Sequence, residues 1–213
     1  MEDLTLDTEL SAAYLSGDEI KLACSLLYQA YHDDPFFMSC FNATAADYEQ
    51  KLRAAIREEL MIFWEQQQPI IGVYQADTLV AVACITLPDN KLEPQRFWHW
   101  RLKMMLTAGY VSTKQMIEKE QKVKDVLQYN AYHLLSFIAV HPNHQHHGIG
   151  HYILAAIDSL VAENSQSSGL AVLVTLDKYT RFFESFAFNL VDKIQVGKIE
   201  ANLMFKAKKE TSS

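Results

Sequence analysis

Between Ala139 and Leu154 the chain reads AVHPNHQHHGIGHYIL. His141, His144, His146, His147 and His151 fall in this stretch, five of the eight histidines in the protein. Imidazoles at that density serve metal ligation, proton transfer or the holding of an anion. His147 and His151, four apart, have a helical ligand spacing. A metal also calls for carboxylate or thiolate partners and for groups that orient the imidazoles, and none stands nearby in sequence. The stretch has a second character. It joins an apolar run, His133-LLSFIAV, to an amphipathic one from Ile149 to about Glu163, with Ile149, Ile153, Ala156, Ile157, Leu160 and Val161 on one face. Strand, glycine-bearing turn and helix in that order leave backbone N–H groups without partners at the helix start, where the helix dipole adds partial positive charge. Such a turn suits an anion. Gly148 and Gly150, lacking a β-carbon, let it approach the backbone.

The elements that must carry this turn are legible in outline. Ser16 and Glu19 have the spacing of a capping box, and Ile20, Ala23, Cys24, Leu27 and Tyr31 recur at helical spacing behind it until Asp34-Pro35 ends the run. A second helix spans about Ala45 to Trp64, with Tyr48, Leu52, Ala55, Ile56 and Phe63 as its apolar stripe. Pro69-IIGVYQ and Thr78-LVAVACITL read as strands joined in a hairpin at Gln75-Ala76-Asp77. The second is apolar on both faces and belongs inside a sheet. Residues 88–130 read as two helices, over QRFWHWRLKMM and KQMIEKEQKVKDVL, forming a helical insertion or lid within a single domain of residues 1–213. Beyond the histidine turn come a strand at Gly169-LAVLVTL, a short helix from Lys178 to Phe186, and strands at Asn189-LVDKIQV and Ile199-EANLMF.

Composition bounds the function. A formal charge of −7 gives no basic face for phosphate neutralisation along a nucleic acid. No stretch is apolar enough to span a membrane. Cys24, Cys40 and Cys84 are odd in number and scattered, which points to a reducing compartment and a cytoplasmic protein rather than a disulfide framework. Small molecules are the expected partners, and nothing in the sequence sets an oligomeric state.

Val140, Pro142, Gln145, Gly148 and Gly150 form V-x-P-x-x-Q-x-x-G-x-G, which resembles the acyl-CoA-binding motif of the GNAT superfamily of N-acetyltransferases. Two further stretches carry the resemblance. Leu173-Val174-Thr175, Tyr179 and Phe182-Phe183-Glu184-Ser185-Phe186-Ala187-Phe188 are similar to L-E-T-x-x-x-N-x-x-F-Y-E-x-x-G-F, and Tyr31-His32-Asp33-Asp34-Pro35-Phe36 looks like A-F-x-x-D-P-x-x. The resemblance implies an α/β fold with a mixed, mostly antiparallel central sheet flanked by helices. It implies acetyl-CoA as acyl donor and a small amine or amine-bearing metabolite as acceptor. Pyrophosphate would lie on Gln145, His146, His147, Gly148, Ile149, Gly150 and His151, and pantetheine along Ile138, Ala139 and Val140, one of whose N–H groups can serve the oxyanion. His146 and His147 stand where the family has a small and a basic residue, and are expected to line the phosphates. If imidazoles replace a permanent cation there, binding should strengthen on acidification. His141, His144 and His151 are expected to be exposed, with no side-chain role.

Acyl transfer to an amine needs a neutral amine, a stabilised oxyanion and a proton for the leaving thiolate. The family's tyrosine of F-Y-E is Phe183 here, which would wall the cofactor but has no proton to give. Tyr179, one turn earlier, could supply the proton or merely pack beneath the cofactor. Ser136, where some members carry a base, could only hold a water. His133 should face the other side of the strand. The base stays open among Glu58, Glu59, Asp34 and the 88–130 helices. Trp98, Trp100, Met104 and Met105 could form an apolar acceptor wall or simply be core. Two rival readings remain: a CoA-binding protein without turnover, suggested by Phe183, Val174 and Ala187, and a histidine-cluster metal protein.

Overall fold

A computed structural model describes residues 9–88, 105, 109–129 and 131–209. Seven strands form one sheet: β1 (Leu10–Tyr14), β2 (Ile70–Gln75), β3 (Thr78–Thr86), β4 (His133–Val140), β5 (Gly169–Val174), β6 (Asn189–Val196) and β7 (Ile199–Ala207), in the order β1-β2-β3-β4-β5-β7-β6. All neighbours are antiparallel except β4 and β5. The mixed, mostly antiparallel sheet expected from the sequence is therefore present. The one parallel pair has a helix in its connection, as a parallel crossover requires.

Six helices flank the sheet among the described residues: α1 (Ile20–Tyr31), α2 (Pro35–Phe41), α3 (Tyr48–Glu65), α4 (Tyr110–Val126), α5 (Ile149–Glu163) and α6 (Thr180–Ser185). One face of the sheet packs Leu27, Leu52, Ile56 and Leu60 of α1 and α3 with Phe137 and Leu203. The other packs Ile149, Ile153, Leu154 and Ile157 of α5 with Val80, Ile85, Leu135 and Phe183. Each of these aliphatic side chains, at most 3% exposed, contributes about 2 kcal/mol by leaving water. The stripe read on α5 is core on the predicted period.

The capping box is formed: the Ser16 N–H and hydroxyl both donate to Glu19 Oε2, at 2.8 Å. Two elements were not anticipated. β1 has a mostly exposed sequence, LSAAY, and becomes a strand only because β2 offers it an edge. α2 begins where the first helix was expected merely to end. Asp34 is its N-cap, with Oδ1 accepting from the Phe36 N–H at 3.0 Å and the Phe37 N–H at 3.3 Å, and Pro35 fits the first helical position. The second helix foreseen in 88–130 is α4. The first lies outside the described residues apart from Met105, as do Trp98, Trp100 and Met104. No described helix is long and apolar enough to cross a membrane.

Candidate active site

The site begins with a local failure of pairing. β4 and β5 are laddered only from His133↔Leu170 to Leu135↔Val172. Beyond Leu135 the two strands have no ladder, although β4 runs on to Val140 and β5 to Val174. At the same point β4 takes a bulge against β3. Cys84 pairs with Phe137 and Ile85 with Leu135, so Ser136 is the extra residue. Leu135 consequently packs on the α5 face while Phe137, two residues on, packs on the α1–α3 face.

The bulge sets which backbone groups face the gap. The His141 N–H donates to the Val80 carbonyl at 2.8 Å, fixing the phase of the ladder to β3. Alternation then directs the N–H and C=O of Ile138 and Val140 away from β3, toward the space left by β5. Both residues confirm this. The Ile138 N–H donates to the Tyr31 hydroxyl at 3.1 Å, and that hydroxyl donates to the Ile138 carbonyl at 3.3 Å. The Val140 carbonyl accepts from the Gln145 side-chain amide at 3.2 Å, which ties the turn back to its strand.

The turn leads into α5 through two left-handed residues, His146 (φ 64°) and Gly148 (φ 79°). The Gln145 N–H is bonded to the Pro142 carbonyl and the His151 N–H to the Gly148 carbonyl. The amides of His146 through Gly150 stand between these two closures, at the positive end of α5. Gly150 has a second reason to be glycine: a β-carbon there would lie 3.1 Å from the Phe182 ring.

A cleft of about 720 Å³ runs along this gap. Of the thirteen residues that the resemblance assigns to the cofactor or to the positions of Tyr179 and Ser136, Ile138, Ala139, Val140, Gln145, His146, Gly148, Gly150, His151, Tyr179 and Phe183 all line it. Three do not. His147 is exposed outside the cleft. Ile149, only 3% exposed, spends its side chain in the core, leaving its amide as its one means of contact. Ser136 donates to or accepts from Thr86 Oγ1 at 3.1 Å and lines a separate cavity of about 40 Å³ with Glu59 and Lys119. The bulge that opens the cleft turns Ser136 out of it.

The histidines also separate. His141 has a side-chain role after all, its Nδ1 accepting from the Asn143 N–H at 3.2 Å. The His151 ring packs against Phe186, with centroids 4.7 Å apart, and so helps shape the cleft wall. Among the described residues no group of three or more His, Cys, Asp or Glu is arranged to hold a metal ion.

Asp34 is the one carboxylate lining the cleft among the described residues. Besides the two α2 amides it accepts a hydrogen bond from the Thr175 hydroxyl at the end of β5. Burial pushes its carboxyl up from the ordinary aspartate range, against the pull of these bonds and of Lys119. Tyr179 is 43% exposed at the mouth, and Phe183 is 4% exposed behind it, edge-on to Phe182 and Phe188. His133 faces away from Ser136, as alternation predicts. It is fully buried, with Nδ1 2.7 Å from the Ser167 hydroxyl.

Solved structures share this arrangement of strands and helices over nearly the whole chain. A Corynebacterium glutamicum protein described as "histone acetyltransferase HPA2 and related acetyltransferase" superposes with a TM-score of 0.71 at 13% identity, covering 96% of this chain and 99% of its own. Mosquito arylalkylamine N-acetyltransferase like 5b gives 0.63 at 13% identity, covering 93% and 100%. The chain has the GNAT acetyltransferase fold. A third GNAT-fold neighbour is yncA of Salmonella typhimurium, assigned as an acetyltransferase and solved with its cofactor acetyl-CoA, at a TM-score of 0.55, 11% identity and 96% coverage of each chain. No family model and no curated protein sequence matches the chain.

Within this GNAT fold, Tyr31 is the cleft residue whose contact with β4 the sequence did not reveal. It stands 107 residues from Ile138. The available signal was its place in Tyr31-His32-Asp33-Asp34-Pro35, where the similar motif carries phenylalanine.

Proposed function

We propose that this chain transfers the acyl group of acetyl-CoA to the nitrogen of a small amine. The parting of β4 from β5 beyond Leu135, which exposes the backbone of Ile138 and Val140 beside a glycine turn, carries this reading. A strand edge whose Val140 N–H and Ile138 carbonyl face the gap, the carbonyl held only by the 3.3 Å bond from the Tyr31 hydroxyl, matches the two amides of a pantetheine arm. The amides of His146 to Gly150 match a pyrophosphate at the end of that arm. The residues present therefore fit acetyl-CoA as the donor substrate. The similar structures described as acetyltransferases, one of them solved with acetyl-CoA, support the same reading, and the mosquito proteins described as arylalkylamine N-acetyltransferases favour an amine acceptor.

The chain's own groups then take distinct parts. Asp34, buried at the end of α1 and facing the cleft, takes the proton that the amine loses on attack. A carboxylate there also favours a cationic acceptor on approach. Tyr179 protonates the thiolate as the carbon–sulfur bond breaks, the part that Phe183 cannot play.

Titration calorimetry with acetyl-CoA, followed by thiol release across a panel of primary amines, tests the proposal. Micromolar binding with amine-dependent release supports it. Binding without release for any amine leaves a CoA-binding protein, and absence of binding overturns the reading.

A further inference from the structure

We propose that the Tyr31 hydroxyl, held by the Ile138 amide, is the hydrogen-bond donor that meets the oxyanion of the acyl transfer. The inference rests on the acyltransferase reading and deepens it at one atom. Four observations converge. Ile138 lies just past the bulge, in the part of β4 that has left β5. Its N–H and C=O are both bonded to the Tyr31 hydroxyl, at 3.1 and 3.3 Å. The Tyr31 ring crosses to this point from the last turn of α1, fixed edge-on against Phe37 and Phe137 with centroids 5.7 and 5.4 Å away. Tyr31, Ile138, Tyr179 and Phe183 all line the same cleft.

The two bonds are not equivalent. The Ile138 N–H fixes the phenol oxygen, while the O–H···O=C bond is longer and is the one a ligand can replace. When a thioester carbonyl enters the gap, the O–H turns from the Ile138 carbonyl to the thioester oxygen, and the Ile138 N–H keeps polarising it from behind. The amine lone pair then forms the nitrogen–carbon bond, and the carbonyl π pair moves onto the oxygen that Tyr31 faces. On collapse that pair re-forms C=O, and the carbon–sulfur pair leaves with sulfur. Tyr31 keeps its proton throughout. Burial, with Asp34 as a lesser cause, pushes its phenol well above the ordinary tyrosine range, which suits a donor that must not ionise. The chain thus has tyrosine where the motif before Asp34-Pro35 has phenylalanine, and phenylalanine at 183 where that family has tyrosine.

The test is the carbonyl stretch of bound acetyl-CoA labelled with ¹³C at the acyl carbon, read by isotope-edited infrared difference spectroscopy, which needs no acceptor. A donor on the carbonyl lowers the stretch. The wild-type chain should show it lowered relative to free acetyl-CoA, and Tyr31→Phe should return it toward the free value with acetyl-CoA affinity changed less than about threefold. Replacing Tyr31 with 3,5-difluorotyrosine, a stronger donor of nearly the same shape, should lower the stretch further, and this arm stands if Tyr31→Phe does not fold. With any amine that supports turnover, Tyr31→Phe should reduce kcat by ~10²-fold. An unchanged stretch in both variants overturns the role of Tyr31 while leaving the acyltransferase reading intact. So does tighter acetyl-CoA binding by Tyr31→Phe, which would mean that the phenol merely plugs the gap. Absence of acetyl-CoA binding to the wild-type chain overturns both.

Discussion

Phe182 lies against the bare α-carbon of Gly150, where a β-carbon would stand 3.1 Å from its ring. The glycine turn and α6 are thereby keyed together across the cleft. Gly150→Val should weaken CoA binding by displacing Phe182, so Gly150→Val with Phe182→Leu should regain much of the loss. Titration calorimetry on the single and double variants measures this. Equal loss in both would mean that the valine obstructs the phosphate directly.

Of the paired histidines, only His146 lines the cleft. His146→Lys places a permanent cation beside the amides proposed to hold the phosphates and should tighten CoA several-fold at low salt, the gain shrinking as salt is added. His147→Lys should change affinity little at any salt. Equal gains from both would assign the effect to long-range charge rather than to a contact.

Tyr179 is exposed at the cleft mouth, whereas Phe183 is buried behind it. Tyr179→Phe should lower kcat by ~10²-fold with acetyl-CoA affinity unchanged. Phe183→Tyr should not rescue that variant. It forces a hydroxyl among Phe182 and Phe188, at a cost of roughly 1–3 kcal/mol if unpaired, seen as a lower Tm. Rescue of turnover would show that position 183 reaches the thiolate.

As the proposed base, Asp34 should couple activity and stability in opposite senses. Its carboxyl is pushed up by burial, so it contributes stability while protonated and loses that contribution as pH rises through the raised value. Asn at this position keeps an oxygen for the Phe36 and Phe37 amides and removes the charge. Asp34→Asn should therefore gain Tm relative to the parent between acid pH and neutrality, while amine acetylation falls by ~10²-fold or more. A Tm deficit that widens with pH would mean that the ionised carboxylate stabilises the fold.

His133 predicts acid sensitivity. Burial lowers its imidazole to about 4, well below the ordinary histidine range, with Lys208 a lesser cause, and its Nε2 has no hydrogen-bond partner among the described residues. The unfolded chain takes up this proton first, so stability is full above the unfolded value and is lost as pH falls toward 4. The loss amounts to roughly 3 kcal/mol. Denaturant titrations between pH 7 and 4 should show this slope, and His133→Leu should flatten it.

The sequence alone determined what is local. Glycine and proline spacing marked the turn from Val140 to Gly150, and periodicity marked α5, because a helix start and an apolar stripe are written within a few residues of each other. It also determined that the site lacks the expected phenol at Phe183, since that is a matter of residue identity. The tertiary structure decided whatever depends on which strands meet. The bulge at Ser136 arises in the pairing of β4 with β3, and nothing in SFIAV announces it. That one extra residue puts Ser136 in a different cavity and turns the Ile138 backbone into the gap. Asp34 read as a helix stop because proline follows it, and became the start of α2 because its carboxylate met two amides there. Tyr31 reached Ile138 only when α1 packed across the parted strands, a contact between residues too distant in sequence for any spacing to encode.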